Sequence, residues 1–386
     1  MGKFMLNYIL PKPLLYGFFA AAIVTGGAAY ALEPKSAPNA PTMKTALYYY
    51  GFVTPEQKEA LRFLMHKAEI YNTDSILDST TSDPNELARS ILDMVRATQE
   101  KFTIRTGNQE RWDVQTSDWM KDTSQQQQIL EALTTLGMID AVMPQFAKRD
   151  AICILGASRN VMISRLDYAG ALYAQNKLPS KWLVLLAGER YVTADKNGVK
   201  IDGTAQDLSA IAAKLGKTIA SLTETDLMRS AYQDSELYNK LPTIVIDTPR
   251  RDLPRPTTET TVTEFSEWLK LHPEVQYVTF VSNQPHVDYQ KAIIAQVFER
   301  QNINIKFEVI GSEYNASVVN NNGDKINYIL QALGSRIWAC TPAVITDLGI
   351  DMSDPELRTE YLELYKKQPL IYNNINSQFK PSAPSP

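Results

Sequence analysis

Beginning at Ala151, short continuous apolar runs alternate with amphipathic stretches, and no other feature restricts the fold as much. Ala151 to Leu155 (AICIL) is apolar throughout and stops at Gly156, the pattern of a strand buried on both faces. The segments Trp182 to Ala187, Thr243 to Asp247, Tyr277 to Ser282 and Asn304 to Ile310 repeat that form. Between them lie helical patterns: one with Met162, Leu166, Ala169 and Tyr173 on a single side, one from Thr223, one over Thr258 to Leu271 and one over Val287 to Gln301. Strands alternating with helices predict an α/β fold, a Rossmann-like parallel sheet flanked by helices with right-handed crossovers. The polar stretch between Gly188 and Thr223 is read as a long excursion.

The flanks follow other rhythms. Thr54, Pro55 and Gln57 make a helix start with a capping box, and Leu61, Leu64, Met65 and Ala68 follow at helical spacing. Further helices are expected over Asn85 to Lys101 and Ser124 to Leu136, and after Gly311 over Lys325 to Leu333 and Asp354 to Lys367. The first residues read as an export signal: Lys3 and Lys12, the apolar run Leu14 to Thr25, then Ala29-Tyr30-Ala31 as a cleavage site. The alternative is a retained anchor, through which residues 13–31 would be the chain's contact with a membrane. The expected division is therefore 1–31 signal peptide or anchor, 32–53 linker, 54–148 helical region, 149–312 α/β domain, 313–374 C-terminal helical region and 375–386 disordered tail. Export places the protein in the periplasm or cell envelope.

Composition narrows the partners. With 44% hydrophobic and 21% charged residues the chain is of globular type, and a net charge of −4 without a basic stripe argues against nucleic acid. Cys153 and Cys340 lie far apart in apolar contexts and read as buried free thiols, although export would permit a disulfide. His66, His272 and His286 are scattered and no C-x-x-C pair exists, so no metal and no cofactor is expected.

In a parallel sheet, ligands gather beyond the carboxyl ends of the strands. That rule selects Gly156, Ser158 and Arg159 with Arg165 after the first strand, Gly188 after the second and Ser282 with His286 after the fourth. A glycine, a hydroxyl and an arginine at a strand-to-helix turn suit an anion, because free N–H groups and the helix dipole point at it. Equally, Gly156 can serve a tight turn and Ser158 a helix cap. His286 is the candidate acid or base, with Glu224 or Glu259 to orient it. There is no Walker loop, nucleophile elbow or G-x-G-x-x-G fingerprint.

The ordered segments I-L-G-A-S-R (154–159), R-L-D-Y-A-G-A-L-Y (165–173), L-A-G (186–188), T-E-T-D-L-M (223–228), R-P-T-T-E-T (255–260) and V-S-N-Q-P-H (281–286) resemble the YdcF/SanA/ElyC family of envelope proteins. The resemblance covers about residues 150–312. Carried over by position, Gly156, Arg165, Gly188, Glu224, Thr257, Glu259, Ser282 and His286 match its motifs. Pro256 and Thr260 replace the asparagines of its N-T-x-E-N box, Glu189 replaces a glycine and Tyr289 an arginine. The resemblance implies a Rossmann-like fold, an envelope location and a link to envelope-precursor metabolism.

Two functions follow. One is an envelope protein that binds, and hydrolyses or transfers, an anionic small molecule or lipid-linked precursor held by Ser158, Arg159 and Arg165. The other is a non-catalytic scaffold in an envelope assembly, with protein partners and a degenerate YdcF-like domain. An open cleft at the strand ends would favour the first; a filled one would favour the second. A nucleotide- or methyl-donor-binding enzyme is a third reading and rests on fold analogy alone.

Overall fold

The computed structural model describes residues 47, 50–71, 74–78, 83–102, 115–194, 198–253, 255–314 and 321–366. The expected export segment, most of the linker and the tail lie outside these residues. Strands β1 (Ala151–Leu155), β2 (Trp182–Gly188), β3 (Thr243–Thr248), β4 (Tyr277–Asn283) and β5 (Lys306–Ser312) form one sheet in the order β3-β2-β1-β4-β5, every pair parallel. The expected α/β class is what the structure shows. Strand β1 is buried along its whole length, with alternate residues entering two cores: Ile152 and Ile154 on one face, Ala151, Cys153 and Leu155 on the other. That two-sided burial is why the run contains no polar residue. Both cysteines are free thiols.

On the first face lie the helices Arg159–Ala174, Ala205–Leu215 and Glu224–Gln233. The Ala205–Leu215 helix falls inside the stretch that the sequence reading left as a polar excursion; Thr204 caps it and Gly216 closes it in the left-handed conformation. On the second face lie Thr258–Lys270 and Val287–Arg300, and a further helical layer packs over the latter. The layer joins Pro55–Lys67, Pro84–Lys101, Thr123–Thr135 and Pro355–Tyr365 around a long helix, Asn322–Asp347. The stretches before and after the sheet thus share one hydrophobic core with its second face. Segment 139–146 also runs along β5: Val142 exchanges two backbone hydrogen bonds with Gly311, and the Glu308 carboxylate accepts from the amides of Gln145 and Phe146.

The long helix exceeds the expected Lys325 to Leu333, although it contains Pro342. Proline has no N–H for the carbonyl four residues back, that of Trp338. The buried Tyr365 hydroxyl donates to this carbonyl at 2.7 Å, so the orphaned acceptor is satisfied from another helix. At the amino-terminal rim, the Asp150 carboxylate accepts from the amides of Gln276 and Tyr277 at 3.0 and 3.1 Å and pairs with Lys181. Burial alone would raise this carboxyl, but the two amides and Lys181 prevail and hold it below its ordinary value.

Tyr365→Phe is expected to cost about 1–2 kcal/mol in urea unfolding. In a Pro342→Ala background, where residue 342 regains an N–H for Trp338, that cost should fall by about half; an unchanged cost would refute the pairing. Because the Asp150 pKa is depressed on folding, its stabilisation is present above the ordinary value of 3.8 and is lost as pH falls through the folded value. Asp150→Asn should therefore lower stability by about 2 kcal/mol at pH 7. The gap to the native protein should narrow in urea melts taken progressively below pH 4.

Candidate functional site at the carboxyl rim

The strand order reverses between β1 and β4, so their carboxyl ends define the switch point where a parallel sheet offers a ligand crevice. Arg165 dominates this point. It sits in the second turn of the Arg159–Ala174 helix and is 2% exposed. Its Nη1 donates to the carbonyls of Leu155 and Gly156 at 2.6 and 2.8 Å, while Nε and Nη2 donate to Asn283 Oδ1 at 3.0 and 2.7 Å. The guanidinium thus ties the end of β1 to the end of β4. Burial lowers its pKa to about 10, opposed by Glu224 and Tyr328.

Glu224 opens the Glu224–Gln233 helix, whose cap is the reciprocal box of Thr223 and Asp226. Its carboxylate lies directly over Gly156: a Cβ there would come within 1.9 Å of Glu224 Oε1 and 2.9 Å of the Leu186 carbonyl. Arg190 Nε donates to Glu224 Oε2 at 2.8 Å, and its Nη2 donates to Asp202 Oδ1 at 2.8 Å and to the Ala157 carbonyl at 3.1 Å. Asp202 is wholly buried and also accepts from the amide and hydroxyl of Thr193. Burial pushes the Glu224 carboxyl up, with Arg190 opposing in part. For Arg190, burial acts to lower the pKa, but Glu224 and Asp202 outweigh it and raise it. Two guanidiniums and two carboxyl groups therefore gather at this rim, with Arg190 paired to both acids.

The remaining expected residues divide. His286 follows directly: its amide donates to the Asn283 carbonyl at 2.9 Å, and its Nε2 meets the Tyr328 hydroxyl at 2.8 Å. The two carboxylates expected to orient it are engaged elsewhere, Glu224 by Arg190 and Glu259 by Arg300 at 2.5 Å. Ser282, expected at a ligand, is fully buried and donates to Gln290 inside the fold. Gly188 makes room for the Thr248 carbonyl and the Pro256 ring, which a Cβ would approach to 2.7 and 2.9 Å. Thr257 caps the Thr258–Lys270 helix through the Thr260 amide. Ser158 is the N-cap of its helix but makes no side-chain cap bond. Arg159 Nη1 stands 4.0 Å from Asp207, and its Nε is buried with no hydrogen-bond partner among the described residues.

Three partners escaped the sequence reading. Asp202 lies in the polar excursion, where an Asp-Gly pair signals only a turn. Tyr328 belongs to a C-terminal helix with no motif of its own. Asn283 lies within the V-S-N-Q-P-H segment, where nothing local signals its role of joining Arg165 to β4.

Fold and rim together define a parallel-sheet α/β protein whose carboxyl edge carries its own ion pairs. Comparison with protein-family models, curated proteins and solved structures finds no match.

Gly156→Ala is expected to destabilise the fold by about 3 kcal/mol or more, because the new methyl must displace a buried, paired carboxylate. Adding Glu224→Ala should recover part of that loss, whereas strictly additive losses in the double variant would show that the two residues do not meet.

Proposed function

We propose that the chain is a non-catalytic structural component of a cell-envelope assembly, with an α/β domain related to the YdcF-like proteins but closed at its ligand edge. The observation that carries this reading is the Glu224 carboxylate seated over Gly156. An anion at the start of the Arg159–Ala174 helix would meet this carboxylate at close range, and like charges in a buried site repel strongly. Arg165 and Arg190, the cations best placed to compensate, are spent on backbone carbonyls, Asn283, Glu224 and Asp202. The missing asparagines of the family box fit the same reading.

A second reading keeps the anionic envelope precursor, bound and then hydrolysed or transferred. One observation favours it: the buried, unpartnered Arg159 Nε beside the uncapped Ser158. In that reading Ser158 and Arg159 hold the anion, and His286, polarised by Tyr328, moves the proton.

Both are tested by titrating inorganic phosphate, pyrophosphate and a short-chain polyprenyl phosphate into the purified protein, followed by calorimetry and by phosphate release. The structural reading expects no saturable heat, no release and no effect of His286→Ala. Saturable binding lost in Arg159→Ala, or phosphate release lost in His286→Ala at unchanged melting temperature, would replace it with the second.

A further inference from the structure

The two edges of the sheet are finished differently. Along β5 the 139–146 segment supplies backbone partners at Gly311 and is held by Glu308. At β3 the described residues provide no such cover. The amide of Leu183 donates to the Pro242 carbonyl at 3.0 Å and that of Glu189 to the Thr248 carbonyl at 2.9 Å, so the even-numbered residues of β3 face β2. In a parallel ladder the N–H and C=O of one residue point the same way and alternate along the strand. The backbone groups of Thr243, Val245 and Asp247 therefore point outward.

A groove of about 610 Å³ runs beside this open edge, lined by Thr243, Val245, Tyr232, Tyr238, Arg229 and Lys240 among others, with no acidic residue in its wall. Tyr232 is fixed by hydrogen bonds to the Thr243 hydroxyl and the Asn239 amide, and Tyr238 packs edge-on against it while remaining 43% exposed. Lys214 adds a third cation through its bond to Gln233, another residue of the groove. Glu236, in the same turn, approaches Gly170 on the Arg159–Ala174 helix. The groove is thus a basic, aromatic strip on a chain whose net charge is −4.

We propose that β3 receives an extended acidic peptide segment of a partner protein as a sixth strand. Outward backbone groups would form the ladder, the tyrosines would pack its apolar side chains, and Arg229 and Lys240 would select its carboxylates. Strand addition of this kind uses main-chain bonds for affinity and alternate side chains for specificity. The local charge argues against a second copy of β3, because two such grooves would bring like charges together. The proposal deepens the structural reading and rests on it for the existence of a partner. The edge lies away from the carboxyl rim, so failure here leaves the phosphate titration untouched, and the reverse.

The test measures fluorescence anisotropy of a labelled octapeptide alternating glutamate and valine, with a lysine–valine peptide and a glutamate–proline peptide as controls, on the native protein. Saturable binding of the glutamate–valine peptide alone is expected, weakening as salt rises. The double variant Arg229→Glu with Lys240→Glu should bind at least tenfold more weakly at unchanged melting temperature. Val245→Pro removes an N–H that faces away from β2, a change that edge strands tolerate, and it should abolish binding. Equal binding of all three peptides, no binding of any, or undiminished binding by the charge variant would overturn the proposal. So would a native dimer that Val245→Pro dissociates, since the edge would then belong to a second copy.

Discussion

A single buried guanidinium holds the switch point of this sheet together. Arg165 donates to two carbonyls at the end of β1 and to Asn283 at the end of β4, the pair of strands between which the chain reverses its direction of growth. Each of those acceptors would otherwise sit at a strand end with its lone pairs unsatisfied in a poorly hydrated place. Drawing a cation into such a site is costly, and hydrogen bonds to backbone carbonyls offset only part of the cost. The rest of the rim is built around that requirement: Glu224 lies nearby and favours the charge, Arg190 neutralises Glu224, and Asp202 completes the account on Arg190. Glycine at 156 follows from the same packing, since a side chain there would have to displace the carboxylate.

This arrangement shows residue types that suit an anion site engaged with one another instead. Arginine beside a glycine turn attracts negative charge from any source, and here the source is the chain itself. Proximity at a rim does not make a pocket; a cleft also needs charge and volume left over. Among the described residues, backbone donors and acceptors face outward instead at the β3 edge, beside a groove lined by two tyrosines with Arg229 and Lys240. One edge of the sheet is finished by the protein's own chain and the other, among the described residues, has no backbone partner, a condition that sheet proteins usually avoid.

Much of the architecture could be read from the chain. All the expected strands and the crossover helices of the α/β part are present, because a strand buried on both faces must be apolar throughout and a helix resting on a sheet must be apolar on one side. Thr54 caps its helix as the local spacing predicts, whereas Thr257, expected at a ligand, serves as a helix cap instead. The helix at Ala205–Leu215 was missed because its apolar stripe is short and alanine-rich. The Asn322–Asp347 helix runs past the expected end at Leu333 and through Pro342, where the hydroxyl that satisfies the Trp338 carbonyl comes from a residue in a different helix. At the rim, Gly156, Arg165 and Glu224 meet as their positions suggest. Ser282 does not join them, because a one-residue step in a strand turns a side chain from one face to the other.

Periodicity and capping act within a few residues, so the sequence by itself determined the alternation of strands and helices, their approximate limits and the end of the sheet at which polar residues collect. Which partner each charge takes was decided only by the tertiary structure. Arg190 and Asp202, Glu259 and Arg300, and His286 and Tyr328 are separated along the chain and carry no local signal of their pairing. Ion pairs and hydrogen bonds fall off over a few ångströms, and distances of that order between remote residues exist only once the layers have packed.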